Sequence, residues 1–142
     1  MSKVDKEVLK VFDKLEKLNP EAKFLSDSAL STVNDWVDTG CMVLNSIISG
    51  SLYGGVPVGR ITGFAGPSAA GKTYIINKIL ANGQKKGMVP VIFDTEAAID
   101  AGSTTVVGLD PQTVKYVPVQ TVEECRNQIS AFLDSVIEAK MQ

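Results

Sequence analysis

Gly66-Pro67-Ser68-Ala69-Ala70-Gly71-Lys72-Thr73 is the stretch that decides the fold. It fits the phosphate-binding pattern G-x-x-x-x-G-K-[ST] at every defined position. Residues 60–65 before it are apolar enough for a buried strand, and residues 74–80 after it continue well as a helix. Because strand, glycine loop and helix are the context that this pattern requires, the stretch predicts a phosphate-binding loop.

The residue types in this loop suit an anionic ligand. Gly66 and Gly71 permit backbone angles that a side chain forbids, so the loop can curl with its amides inward. The helix that begins near Lys72 adds unpaired N–H groups and the positive end of its dipole. Lys72 brings a positive charge for the β- and γ-phosphates, and the Thr73 hydroxyl is placed to ligate Mg²⁺. The loop therefore predicts binding of a nucleoside triphosphate, the alternative being a glycine-rich turn without a ligand.

Composition excludes several other kinds of site. The chain of 142 residues has a net charge of −2, so no global positive field draws it to nucleic acid. It contains no histidine, which removes serine–histidine and cysteine–histidine catalysis and histidine-bound zinc. Cys41 and Cys125 stand far apart, and we expect two reduced, mostly buried thiols. No apolar run approaches the roughly 20 residues of a membrane span, so we expect a cytoplasmic protein.

Alternating strand and helix patterns predict an α/β fold with a parallel sheet. Strands are predicted at residues 60–65, 89–93 and 114–119, with a helix after each. The last of these helices opens at Thr121 with capping-box spacing and carries one apolar face. The order β-α-β-α-β-α implies right-handed crossovers. Before the sheet, a helix over residues 42–49 is predicted, with Thr39 as its N-cap and Gly50 as its C-cap.

An amphipathic helix is predicted at residues 4–18. Its apolar residues recur at three- and four-residue steps, namely Val4, Val8, Val11, Phe12 and Leu15. A helix this short is marginal in water, so its apolar stripe needs a surface to cover. That surface belongs either to its own domain or to a neighbouring subunit.

Asp94-Thr95-Glu96 ends the second predicted strand. The carboxyl edge of a parallel sheet is where ligands bind, so Glu96 is placed to orient a water for attack on a phosphate. The alternative is a solvated acid that caps the next helix. Val91-Ile92-Phe93-Asp94 has the form of a second magnesium motif, which is an apolar run that ends in an aspartate. It lies only about 20 residues after the loop, however, and Thr95-Glu96 follow it directly.

These stretches, taken in order, resemble the RecA-type recombinases, and most closely the UvsX recombinases of large tailed phages. The resemblance covers about residues 36–140. Its stretches are Asp38-Thr39-Gly40 to Leu44-Asn45, Ile48-Ser49-Gly50, Tyr53-Gly54-Gly55-Val56-Pro57, Ala65 to Thr73, Phe93-Asp94-Thr95-Glu96, Gly108-Leu109-Asp110, and Val117-Pro118-Val119-Gln120-Thr121.

The resemblance implies an ATP- and Mg²⁺-dependent protein that forms a filament on single-stranded DNA and pairs it with homologous duplex DNA. It implies a P-loop NTPase core of RecA type at residues 36–142, and a protomer-docking arm at residues 1–35. It implies catalytic roles for Glu96 and Lys72, and magnesium ligation by Thr73. The nucleotide-binding residues that it implies are Gly66, Pro67, Ser68, Ala69, Ala70, Gly71, Lys72, Thr73, Tyr74 and Asp100.

Two departures from the family pattern qualify this expectation. An aromatic residue that stacks on adenine in many members has no counterpart in Asp100-Ala101-Gly102-Ser103, so adenine contact is expected from Asp100 or Ser103. A second magnesium motif and the DNA-binding loops are not found, so we expect the N-terminal portion of a recombinase. The alternatives are another RecA-fold ATPase, such as a replicative helicase or a KaiC-like protein, and a non-catalytic nucleotide-binding fragment.

Overall fold

The computed structural model describes residues 6–24 and 32–140. The chain divides into two compact units, Met1–Asn34 and Asp35–Gln142. The first contains helix α1, Lys6–Leu18, which confirms the predicted helix over these residues; positions 4 and 5 lie outside the described residues. The ring of Phe12 in α1 meets the ring of Phe24 edge-on, with centroids 5.6 Å apart.

The second unit alternates short strands with helices. Its elements in chain order are β1 (Trp36–Val37), α2 (Met42–Ser49), β2 (Val56–Pro57), α3 (Lys72–Lys85), β3 (Val91–Asp94), α4 (Ala101–Val106), a 3₁₀ turn (Pro111–Thr113), β4 (Lys115–Pro118) and α5 (Val122–Lys140). None of the helices in the described part of the chain is long and apolar enough to cross a membrane.

In the described residues, the four strands form two small sheets. β1 pairs antiparallel with β2, with Trp36 opposite Pro57. β3 pairs parallel with β4, in a register that places Val91 opposite Lys115 and Asp94 opposite Pro118. Two of the three predicted strands, and their parallel arrangement, are therefore confirmed, and the chain has mixed helix and strand structure with a small parallel sheet.

The strand predicted at residues 60–65 is wrong for the described residues, because this segment belongs to neither sheet. It keeps the alternation of a strand: Ile61 is fully exposed, whereas Thr62 and Phe64 are half-buried. Thr62 and Phe64 line a cavity of about 310 Å³ together with residues of α3. The apolar residue types indicated a buried strand, but the apolar Ile61 is exposed and the polar Thr62 is half-buried. A strand also needs a partner for its ladder, and β3 and β4 pair with each other.

Thr39 is not the N-cap of α2. Cys41 occupies that position and makes no side-chain cap hydrogen bond. Thr39 is buried two residues earlier, and its hydroxyl donates to Asn45 Oδ1 at 2.7 Å. The Thr39 hydroxyl therefore bonds to the buried Asn45 and does not cap α2. The amide nitrogen of Asn45 also donates to Asp38 Oδ1. Gly50 is the C-cap, as predicted, at φ 73°.

The thiols are less buried than expected. Both cysteines are free; Cys41 is exposed and Cys125 is half-buried. The exposure of Cys41 follows from its place at the start of α2, where the side chains of Met42, Val43 and Ile47 are exposed as well.

The buried core of the second unit lies between α3 and the segment around α4. It contains Ala81, Val107 and Leu109, with Leu80 and Val114 packed against them. The predicted apolar face of α5 contributes no fully buried residue, and Phe132, Leu133 and Ile137 are exposed. The core is therefore small, and single side chains matter to it.

Val106 and Val107 offer a matched test of this core. Val107 is 4% exposed and Val106 is 84% exposed. Val107→Ala removes buried methyl groups and leaves a cavity, so we expect it to lower the free energy of unfolding by about 2 kcal/mol. Val106→Ala should change it by less than about 0.5 kcal/mol. Urea denaturation measures both; equal losses would contradict the core as described.

Candidate nucleotide-binding site

The phosphate-loop motif forms a tight turn directly before α3. Gly71, the N-cap of α3, has a φ of 81°, and Ala69 has a φ of 60°. Left-handed backbone suits glycine at position 71 but strains an alanine at position 69 by about 1–2 kcal/mol. The loop thus carries local strain at the centre of the motif.

The N-terminus of α3 presents unpaired donors. Among the described residues, no acceptor is recorded for the backbone N–H groups of Lys72, Thr73 and Tyr74, and Gly71 provides no side-chain cap. These groups form the positive end of the helix dipole. A cavity of about 250 Å³ is lined by residues 69–74, and no carboxylate is among its lining residues. The geometry suits an anion.

The Lys72 side chain folds back over the loop. Its ammonium donates to the carbonyl oxygens of Gly66 at 2.9 Å and of Pro67 at 2.8 Å. These two carbonyl oxygens keep the Lys72 ammonium group over the phosphate-loop motif. An anion bound in the cavity must therefore compete with them for the ammonium group or share it.

The carboxylate of Asp94, the last residue of β3, closes the turn that carries Glu96. It accepts hydrogen bonds from the four consecutive N–H groups of residues 96–99, at 2.9, 3.1, 3.1 and 3.3 Å. The Tyr116 hydroxyl on β4 donates to the same carboxylate at 3.2 Å. Backbone donation, first from Glu96 N–H, lowers the pKa of Asp94 from its ordinary value, against the opposing effect of desolvation.

Glu96 itself is exposed, and within residues 6–24 and 32–140 its carboxylate makes no recorded hydrogen bond. The next residue, Ala97, has a φ of 51°. The backbone at Glu96 is therefore fixed by Asp94, whereas its carboxylate faces solvent.

Asp100 is the N-cap of α4. Its carboxylate accepts a hydrogen bond from Ser103 N–H at 2.9 Å, which is the main reason its pKa is lowered. Asp100 also lines a cavity of about 260 Å³ with Tyr116 and neighbouring apolar residues. Its described role is structural; adenine contact by Asp100 or Ser103 stays a prediction.

The structure thus brings some predicted site residues together and leaves others apart. Residues 69–74 surround one cavity, whereas Glu96 and Asp100 follow β3. No hydrogen bond joins Glu96 or Asp100 to the loop in the described part of the chain. The Asp94 contacts were not predicted from the sequence, although an aspartate before a short non-helical stretch is a known turn signal.

Comparison with known proteins shows the family. The sequence model of the RecA N-terminal domain family matches residues 8–136 of this chain. The chain therefore belongs to the RecA N-terminal domain family.

Relatives with curated names agree with this assignment. The chain is 33% identical over 101 residues to the protein RecA of Clostridium acetobutylicum, a match that covers 71% of this chain and 28% of that protein. It is 38% identical over 100 residues to the protein RecA of Clostridium beijerinckii, covering 70% and 27% of the two chains. For the protein RecA of Chlamydia felis the identity is 39% over 72 residues, covering 51% and 20%. The chain thus spans only 20% to 28% of the length of these relatives.

Proposed function

We propose that this chain is the nucleotide-binding, N-terminal portion of an ATP-dependent DNA recombinase. Such a protein assembles on single-stranded DNA and exchanges a strand with homologous duplex DNA. One observation carries the proposal: in a chain of the RecA N-terminal domain family, the phosphate-loop motif coincides with a cavity and three acceptor-free N–H groups at the start of α3. The finer likeness to UvsX recombinases rests on the sequence stretches alone.

The residues of the loop fit a triphosphate accompanied by Mg²⁺. When bound, ATP supplies the transferable γ-phosphoryl group. The N–H groups of residues 72–74 and the Lys72 ammonium provide donors and positive charge on one wall of the cavity, with no carboxylate to repel a phosphate. The Thr73 hydroxyl is the protein's proposed contribution to Mg²⁺ coordination, in keeping with the few protein ligands this ion uses beside phosphate and water.

Glu96 is the proposed base that orients the attacking water. Its carboxylate is exposed and carries no recorded hydrogen bond among the described residues, so it is available to a water molecule. Lys72 and the loop amides would stabilise the charge of the phosphoryl group during transfer.

Self-association is the proposed role of α1. Its apolar side chains Val11, Leu15 and Leu18 are exposed in the first unit. An amphipathic helix of this kind gains stability when its stripe is covered, and we propose that a neighbouring protomer covers it.

Strand exchange tests the proposal against its alternatives. A protein that carries this chain as its N-terminal portion is expected to convert single-stranded circular and homologous linear DNA into joint molecules when ATP is present. A replicative helicase would instead unwind a forked duplex, and a non-catalytic fragment would do neither. Unwinding without strand exchange, or the absence of both, would contradict the recombinase proposal.

A further inference from the structure

The Asp94 carboxylate is the structural centre of the turn after β3. Five donors converge on it: the four N–H groups of residues 96–99 and the Tyr116 hydroxyl. Four of these donors come from the segment that contains Glu96, and the fifth comes from the neighbouring strand β4. The carboxylate thus links the turn to both strands of the parallel sheet.

We propose that Asp94 is the positioning residue for Glu96, an inference that rests on the proposed catalytic role of Glu96. Within the described residues, Glu96 makes no side-chain hydrogen bond that fixes its carboxylate. The described contacts instead fix where the Glu96 side chain leaves the backbone, because the Asp94 carboxylate holds the N–H group of Glu96 and those of the next three residues. The left-handed conformation of Ala97 is the cost of turning four successive N–H groups toward one side chain.

The same contacts count against Asp94 as a magnesium ligand. A carboxylate has about four lone-pair positions on its two oxygens, and five donors already share them here. Metal ligation would require several of these bonds to break, which would release the turn. The apolar run that ends in Asp94 therefore serves the turn and does not form a second magnesium motif.

Only an ionised carboxylate serves all four amides well. An asparagine side chain at position 94 has one acceptor oxygen, and its nitrogen is a donor. In Asp94→Asn, the two N–H groups now bonded to one carboxylate oxygen would meet another N–H group. Charge-assisted bonds to the remaining oxygen would also become weaker neutral ones.

Amide hydrogen exchange in this chain tests the geometry. In Asp94→Asn, the amides of residues 96–99 are expected to exchange about tenfold faster, and in Asp94→Ala more than that, because their acceptor is weakened or lost. Asp110→Asn is the matched control, since the Asp110 carboxylate caps a different turn through Gln112 N–H at 3.0 Å. The exchange rate of the Leu109 amide, in the core of the second unit, shows whether each variant keeps that core intact. Unchanged exchange at residues 96–99 in a folded Asp94→Asn chain would overturn the proposal.

A double-mutant cycle tests the link to Glu96. In the protein that carries this chain, Asp94→Asn is expected to lower kcat for ATP hydrolysis about tenfold, with KM for ATP within about threefold of wild type. Added to Glu96→Gln, it should cause no further loss, because a positioning residue acts only through the group that it positions. An equal tenfold loss in both backgrounds would overturn the proposal. If Glu96→Gln alone leaves hydrolysis unchanged, the catalytic role of Glu96 fails instead, and the single variants tell the two failures apart.

Discussion

Replacing Lys72 with alanine is expected to weaken ATP binding by this chain about 100-fold. The ammonium group is the full positive charge at the cavity of residues 69–74, and it is already held over the loop by the carbonyls of Gly66 and Pro67. Hydrogen bonds to charged groups contribute about 1.5–3 kcal/mol each, and 1.4 kcal/mol is a factor of ten in affinity, so the loss of one or two phosphate contacts gives this magnitude. Calorimetric titration with ATP and Mg²⁺ measures the change.

Lys85→Ala is the matched control for this experiment. Lys85 lies at the other end of the same helix and donates to Asn82 Oδ1, so its replacement removes the same charge away from the loop. ATP affinity should stay within about threefold of wild type, because exposed charges at that distance are largely screened. Equal losses in both variants would mean that general charge, and not the loop, governs binding. Undiminished binding in Lys72→Ala would show that the site assignment is wrong.

Glu96→Gln is expected to separate binding from hydrolysis. A glutamine has nearly the same shape but cannot accept a proton from water, and loss of a general base reduces rates by about 10²–10⁴-fold. Because Glu96 lies outside the lining of the loop cavity, ATP affinity should change by less than about threefold. The measurement is the steady-state ATPase rate, with single-stranded DNA, of the protein that carries this chain.

Glu123→Gln controls for the loss of one negative charge. Glu123 lies in the first turn of α5 and is exposed. Its replacement should leave both hydrolysis and binding near wild type. A Glu96→Gln protein that hydrolyses ATP at the wild-type rate would return Glu96 to the alternative role of a solvated acid at the end of β3.

Local pattern and motif predicted the elements whose stability is mainly local. Helices α1 and α3 follow the apolar periodicity and the glycine positions that indicated them. One non-local contact was predicted as well: β3 and β4 pair parallel, as the alternation of strand and helix patterns indicated. The left-handed Gly50 and Gly71 likewise lie where a helix end or tight loop demands glycine.

What depends on contacts between distant segments was harder to predict. Whether residues 60–65 join a ladder is decided by their neighbours, and their own apolar pattern contains no information about those neighbours. The Thr39 hydroxyl bonds to Asn45 instead of capping α2, and the Asp94 carboxylate engages Tyr116 across the sheet. The direction of these polar side chains follows from the packed structure, so residue spacing alone did not indicate it.

Within the part of the chain that the structure describes, residues 60–65 pair with no other strand, and this has a thermodynamic consequence for the site. The phosphate loop is joined on one side to a 14-residue helix, and on the other to residues 60–65, which lie outside both sheets. Holding a segment without ladder hydrogen bonds in one conformation costs backbone entropy, and where the bound loop requires one conformation, nucleotide binding must offset that cost. A strand that pairs with residues 60–65 would order them before the nucleotide binds. It would thereby offset part of the entropy cost and raise the affinity for nucleotide. By thermodynamic reciprocity, bound nucleotide would strengthen that strand pairing by the same factor. The segment would then couple assembly of the sheet to occupancy of the nucleotide site.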